Sequence, residues 1–186
     1  MRIIGGKLRG KTLLPPAGYK ARPTTDFAKE GLFNTLDNEF YFDDLAVLDL
    51  FGGTGSISFE FASRGAGEVI AVEMNPVNAA FIKKTASALG VDKVVRVLHQ
   101  NVFDFIGICT KRFDIVFADP PYALEGLDTI PDKVLGRGLV HAGGYLILEH
   151  PAEYNFAAHP SFVKEKKYGN VHFSYFRPLP ETEPAD

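Results

Sequence analysis

Val47-Leu48-Asp49-Leu50-Phe51-Gly52-Gly53-Thr54-Gly55-Ser56 is an apolar run interrupted by one acid and ended by three glycines. A strand buried on both faces reads as such a run. The glycines then permit a tight turn into a helix, whose first backbone N–H groups are left free to meet a ligand. Beyond it, helical and strand-like segments alternate: Ile57–Arg64, Val69–Glu73, Asn78–Leu89, Val94–Leu98, Phe103–Ile108, Ile115–Ala118, Leu127–Leu135 and Tyr145–Glu149. Alternation at this spacing implies crossover connections, hence a mostly parallel sheet with helices on both faces. The expected architecture is a doubly wound α/β domain.

Both ends depart from that rhythm. Phe162–Tyr168 and Val171–Phe176 are separated only by Gly169-Asn170, which favours an antiparallel hairpin over another crossover. Residues 178–186, rich in Pro and acids, read as a flexible tail. At the other end, Ile3-Ile4, Gly5-Gly6, Leu8, Gly10 and Leu13-Leu14 suggest a small β-hairpin turning near Gly5-Gly6. Thr24 or Thr25 can then cap a helix whose apolar positions are Phe27, Leu32, Phe33 and Leu36. The expected division is a basic hairpin-and-helix extension over residues 1–40, a main domain over 41–177, and the tail.

With 186 residues, 46% of them apolar, the chain can bury one good core but is short for two full domains. No apolar run reaches membrane-spanning length, and Met1–Lys7 has neither secretory nor transit character. A cytoplasmic monomer is expected. The single Cys109 rules out an intramolecular disulfide, and the five histidines lack the spacing of metal ligands, so no metal is expected. A net charge of −3 argues weakly against a polyanionic partner, but its distribution does not. Residues 1–30 hold Arg2, Lys7, Arg9, Lys11, Lys20, Arg22 and Lys29 against only Asp26 and Glu30. Such a segment suits a local phosphate-contacting surface, and equally a solvated arm.

Acids at strand ends narrow the ligand. Glu73 closes the second strand, where a carboxylate can accept both hydroxyls of a ribose. Asp49, ahead of the glycines, would repel a pyrophosphate but can pair with the ammonium of a methionine moiety. Ser58 stands where a dinucleotide fingerprint wants a third small, glycine-like position, which turns the reading away from NAD. After the third strand, Asn101 can bond an adenine amino group, with Val102 or Phe103 against the ring. An ordinary helix cap accounts for Asn101 nearly as well.

The fourth strand ends in Asp119-Pro120-Pro121-Tyr122. Two prolines hold the loop extended and remove backbone donors, leaving carbonyls free to accept hydrogen bonds. Asp119 and the Pro120 carbonyl can thus take both hydrogens of an exocyclic amino group, while Tyr122 offers a ring for stacking. That nitrogen is a poor nucleophile because its lone pair is delocalised. Catalysis must therefore supply in-line positioning and support for developing positive charge, and a carboxylate serves both. Together these features point to methylation of an amino group on a nucleic-acid base.

In order along the chain, Asp49 to Gly55, Glu73-Met74-Asn75 and Asp119 to Tyr122 resemble the motifs of class I, Rossmann-like methyltransferases. Four further stretches resemble the bacterial family that methylates guanine N2 in 16S ribosomal RNA: Arg2-Ile3-Ile4-Gly5-Gly6, Arg9-Gly10, Arg22-Pro23-Thr24-Thr25-Asp26 and Glu30-Gly31-Leu32-Phe33-Asn34. The resemblance covers nearly the whole chain apart from the tail. It implies a seven-stranded sheet, S-adenosylmethionine as donor, and a small ribosomal subunit or its assembly intermediate as partner. It also implies cofactor contacts from Asp49, Phe51, Gly52, Gly53, Gly55, Glu73, Met74, Asn101 and Val102. Asp119, Pro120 and Tyr122 would hold the guanine, with Arg9, Arg22, Thr24 and Pro121 beside the RNA. Two positions depart from the pattern: Gly31 sits where a better helix former is expected, and Tyr122 stands where Phe also occurs.

Three other readings stay open at this level. DNA adenine-N6 methylation uses the same tetrad, though the chain leaves no room for a separate target-recognition domain. A nicotinamide-dependent reductase shares the glycine turn and the ribose acid but leaves the tetrad unexplained. A catalytically silent RNA-binding assembly factor would keep the fold without the chemistry.

Overall fold

The computed structural model describes residues 1–19 and 24–180, so Arg22 and residues 181–186 of the tail lie outside the described residues. Five strands run parallel: β1 (Ala46–Leu50), β2 (Glu68–Glu73), β3 (Val95–His99), β4 (Phe113–Ala118) and β5 (Val140–His150). β6 (Phe162–Tyr168) and β7 (Val171–Phe176) form the C-terminal hairpin, with β7 antiparallel to β5. All seven join in one sheet of order β3-β2-β1-β4-β5-β7-β6. The order reverses between β1 and β4, and at such a point a crevice opens above the strand ends.

Helices cover both faces. α1 (Asp26–Asp37), α2 (Ser56–Arg64) and α3 (Pro76–Ala88) pack on one, α4 (Val102–Ile108) and α5 (Ile130–Gly136) on the other. Strand side chains alternate between them with period two. Val47, Ile115, Phe117 and Ile147 face α1 to α3, while Leu48, Val116, Ala118 and Leu148 face α4 and α5. No helix among the described residues is long and apolar enough to cross a membrane.

The N-terminal extension is less regular than a hairpin. One antiparallel bridge, Arg2 to Thr12, closes around a 3-10 turn at Gly6–Leu8. Its backbone is held instead by α2: Ile4 and Gly5 N–H donate to the Glu60 carboxylate at 3.0 and 2.8 Å, and Leu8 N–H to Ser63 Oγ at 2.9 Å. Backbone donors turned toward a helix are lost to cross-strand pairing, which limits the strands to one bridge. Gly6 has φ of 68°, and a Cβ there would stand 1.9 Å from the Ser63 carbonyl oxygen, so only glycine fits this seat. Lys29 of α1, 1% exposed, donates to the Arg2 carbonyl and lies 3.9 Å from the buried Glu60 carboxylate. One buried ion pair thus ties the extension, α1 and α2 together.

The Thr25 hydroxyl caps α1 by accepting from Ala28 N–H at 3.2 Å. Phe27 departs from its expected place on the apolar stripe, being 65% exposed while Ala28 is buried. Ala28, Leu32 and Leu36 recur every four residues and define the inward face, and Phe27 falls on its edge. Gly31 also finds its reason here: a Cβ at that position would lie 2.0 Å from the Tyr168 ring, which β6 lays across the helix.

Gly31→Ala should therefore destabilise the fold by about 1–3 kcal/mol through overpacking, although helix propensity alone would stabilise it by about 1 kcal/mol. Gly107→Ala, in α4 with open space around the position, should show the propensity gain instead. Urea denaturation of both variants beside the parent tests the opposite signs.

Candidate active site

The C-terminal ends of β1, β2, β4 and β5 and the glycine turn open into one cleft of about 1020 Å³. In that turn Phe51 adopts φ of 64° and Gly53 φ of 56°. For Phe51 the left-handed conformation costs about 1–2 kcal/mol, and such strain gathers where a backbone is shaped for a ligand. Glu73 fastens the turn: one carboxylate oxygen accepts Gly53 N–H at 2.7 Å, the other Asn75 N–H at 2.6 Å. Each oxygen keeps a lone pair for a hydroxyl in the cleft. Gly52 lines the cleft, whereas Gly55 does not; with φ of 79°, and a would-be Cβ 2.7 Å from Phe59, it shapes the entry to α2.

Asp49 is buried, and its carboxylate accepts the Ser58 hydroxyl at 2.5 Å. Burial pushes this carboxyl up to about 7, only partly offset by the Ser58 hydrogen bond. Ser58 is thus more than an absent glycine: it is the donor that aims Asp49. Asn101 is a helix cap, its carbonyl oxygen accepting Phe103 N–H at 2.8 Å and Asp104 N–H at 3.3 Å. That corrects the expectation that it accepts from an adenine amino group. Its amide nitrogen, 3.7 Å from Met74 Sδ, remains a donor and suits a ring nitrogen. Met74 and Val102 line the same wall.

The other half of the cleft holds Asp119, Pro120, Pro121 and Tyr122. β4 and β5 pair with Ala118 beside Leu148, so the next residues, Asp119 and Glu149, stand side by side. By alternation both project to the α1 side, as Phe117 and Ile147 do. Sequence reading missed Glu149. The signal was an apolar strand ending in an acid, the same pattern that singled out Glu73. Glu149 is 5% exposed and accepts the Tyr122 hydroxyl at 3.2 Å and the Thr24 hydroxyl at 3.5 Å. Burial pushes its carboxyl up to about 7 against both hydrogen bonds. Asp119 is pushed well up by burial, then by the charges of Glu149 and Asp49. Burial and the facing Glu149 also raise Tyr122, which keeps its hydroxyl a donor.

The structure thus gathers Thr24 with the tetrad, and Asp49, Phe51, Gly52, Gly53, Glu73, Met74, Asn101 and Val102 around one space. It does not bring Arg9 there; Arg9 is exposed on the extension. Arg22 lies outside the described residues. The cofactor half fits S-adenosylmethionine on its own chemistry: a buried acid paired with no cation among the described residues, an acid with spare lone pairs for a ribose, and a thioether and amide wall for a base.

Known proteins bear on this geometry. YlbH of Bacillus subtilis, provisionally named an rRNA methyltransferase, is 31% identical over 156 residues, 82% of this chain and 84% of its own. Ribosomal RNA small subunit methyltransferase D of Escherichia coli is 29% identical over 180 residues, 95% of this chain and 89% of its own. The solved structure of yhhF from Escherichia coli, provisionally named a methyltransferase, matches with a TM-score of 0.83 at 31% identity, covering 96% of this chain and 98% of the other. The family model described as Conserved hypothetical protein 95 matches residues 1–177. The chain therefore belongs to that family and carries the class I methyltransferase fold.

Proposed function

We propose that this protein is an S-adenosylmethionine-dependent rRNA methyltransferase acting on the exocyclic N2 of a guanine in 16S rRNA of the small ribosomal subunit. The observation that carries the reading is the seating of Asp119 and Tyr122 across one cleft from Asp49 and Glu73. The name of the Escherichia coli relative supports the choice of small-subunit rRNA. The basic N-terminal signature supports N2 of guanine.

S-adenosylmethionine supplies a methyl group activated by a positively charged sulfur. Asp49 would hold its ammonium and Glu73 its ribose hydroxyls, with Phe51, Gly52 and Gly53 shaping the backbone around it. Met74, Asn101 and Val102 would flank its adenine. Asp119 and the Pro120 carbonyl accept the two hydrogens of the target amino group, and the Tyr122 ring stacks on the base. Positive charge develops on that nitrogen as it gains the methyl, and Asp119 stabilises the charge at contact distance. The nitrogen then loses one proton to the Asp119 carboxylate, whose raised proton affinity makes it a competent acceptor.

Residues 1–40 would form the RNA-contacting extension of a monomeric cytoplasmic enzyme whose methyltransferase domain spans 41–177. Arg9 would meet phosphates outside the cleft, with Arg22 beside the target. Thr24 and Pro121 would border the base itself.

Small subunits from a strain lacking the modification, incubated with the protein and labelled S-adenosylmethionine, should acquire label at N2 of one guanine, located by mass spectrometry of digested rRNA. Unlabelled rRNA, or label on adenine, would sink the reading. Asp119→Ala should lower the methylation rate by at least about 100-fold while RNA binding in a filter assay is kept.

Below pH of about 7 Asp49 carries a proton that it must release before pairing with an ammonium. Affinity for S-adenosylhomocysteine should accordingly fall roughly tenfold per pH unit below that point and level off above it. Calorimetry across the range, with Asp49→Asn as a weak and pH-insensitive comparison, checks the slope.

A further inference from the structure

Methyl transfer as described uses Asp119, Pro120 and Tyr122, and leaves Glu149 without a part. Yet Glu149 opens onto the same cleft, one strand over from Asp119, and is nearly as buried as the core around it. Hydroxyls of Tyr122 and Thr24 donate to its two oxygens, one each, and orient the carboxylate within the cleft. Each oxygen keeps a lone pair. The two donors it has do not compensate its burial, since its carboxyl still sits at about 7.

Two acceptor groups side by side impose a pattern on what docks there. The exocyclic amino group of guanine is flanked by N1–H, a donor pointing the same way. The exocyclic amino group of adenine is flanked by N1 bearing a lone pair. We propose that Glu149 accepts the N1–H of the target guanine while Asp119 and the Pro120 carbonyl hold its N2 amino group, so that Glu149 selects guanine over adenine. The inference rests on the guanine-N2 reading above and deepens it by naming the group that reads the base.

The selectivity follows from burial. An adenine N1 set against the ionised Glu149 carboxylate leaves two acceptors facing each other, and an unmatched buried acceptor is penalised more heavily than a matched one is rewarded. Sites built to bond an N–H reject analogues without it far more strongly than apolar pockets reject a change of shape. The Asp-Pro-Pro-Tyr tetrad by itself serves either base. Its neighbour on β5 decides between them, and Thr24 ties that neighbour to the N-terminal signature.

The test uses 2-aminopurine, which keeps the amino group at C2 but has an unprotonated N1. Small subunits reconstituted with ligated 16S rRNA would carry guanine, 2-aminopurine or adenine at the mapped position, and single-turnover methylation would be timed for parent and Glu149→Gln. The parent should prefer guanine over 2-aminopurine by about tenfold or more. Glu149→Gln, whose amide can turn its NH₂ toward N1, should narrow the ratio to within about threefold. Its melting temperature and S-adenosylhomocysteine affinity should match the parent's. Equal rates on guanine and 2-aminopurine in the parent overturn the proposal, and that arm decides alone should the variant fail to fold. An unchanged ratio in a folded variant overturns it too, leaving guanine-N2 methylation standing. A parent that modifies adenine and spares guanine overturns the guanine-N2 reading itself.

Discussion

The parallel register across β1, β4 and β5 places Asp49 beside Phe117, and Phe117 beside Ile147, all on the face that α1 to α3 cover. One pleat further on, Asp119 and Glu149 continue that row beyond the last apolar pair. A slip of one residue would turn these acids into the core beneath α4 and α5 and bring Leu50, Ala118 and Leu148 to the ligand side. The apolar packing of the sheet and the position of the carboxyl groups are therefore one constraint. Neither can change without the other.

Holding carboxyl groups at the head of a buried sheet has a thermodynamic consequence. Asp49 and Glu149 both have folded-state values raised to about 7. For a carboxyl so raised, the unfolded chain gives up its proton first as pH climbs. The stability these groups contribute is present below the ordinary carboxylate range and is lost as pH rises toward about 7. A cation beside Asp49, or an N–H beside Glu149, supplies what burial removed, so ligands should stabilise the native chain through the same groups that bind them.

The N-terminal extension reaches this row from outside the sheet. Glu60 gathers the backbone of Ile4 and Gly5, and Lys29 fastens Arg2 to α1. Because Thr25 starts that helix as its cap, Thr24 is delivered to Glu149 by the first turn rather than by a free arm. Phe27, turned outward two residues after that cap, borders the cleft beside Tyr168 at a ring separation of 5.8 Å. The first turn of α1 and the reactive ends of β4 and β5 consequently border one cleft.

Much of this was written in the order of residues. Apolar runs bounded by glycine or by helical spacing determined the strand and helix succession, because burial of a parallel strand leaves a continuous signature. Asp49, Glu73 and the Asp119 tetrad stood out because each ends such a run with a group that burial penalises. What the chain order could not carry was adjacency. Glu149 follows Asp119 by a whole crossover, and only the β4–β5 pairing makes them neighbours. Ser58 became a partner of Asp49 only once α2 turned back over β1. Gly31 made sense only under Tyr168, brought from the opposite end of the chain. Local propensity and periodicity act through neighbours in sequence, whereas charge, desolvation and close contact act through space, and the site is made of the second kind.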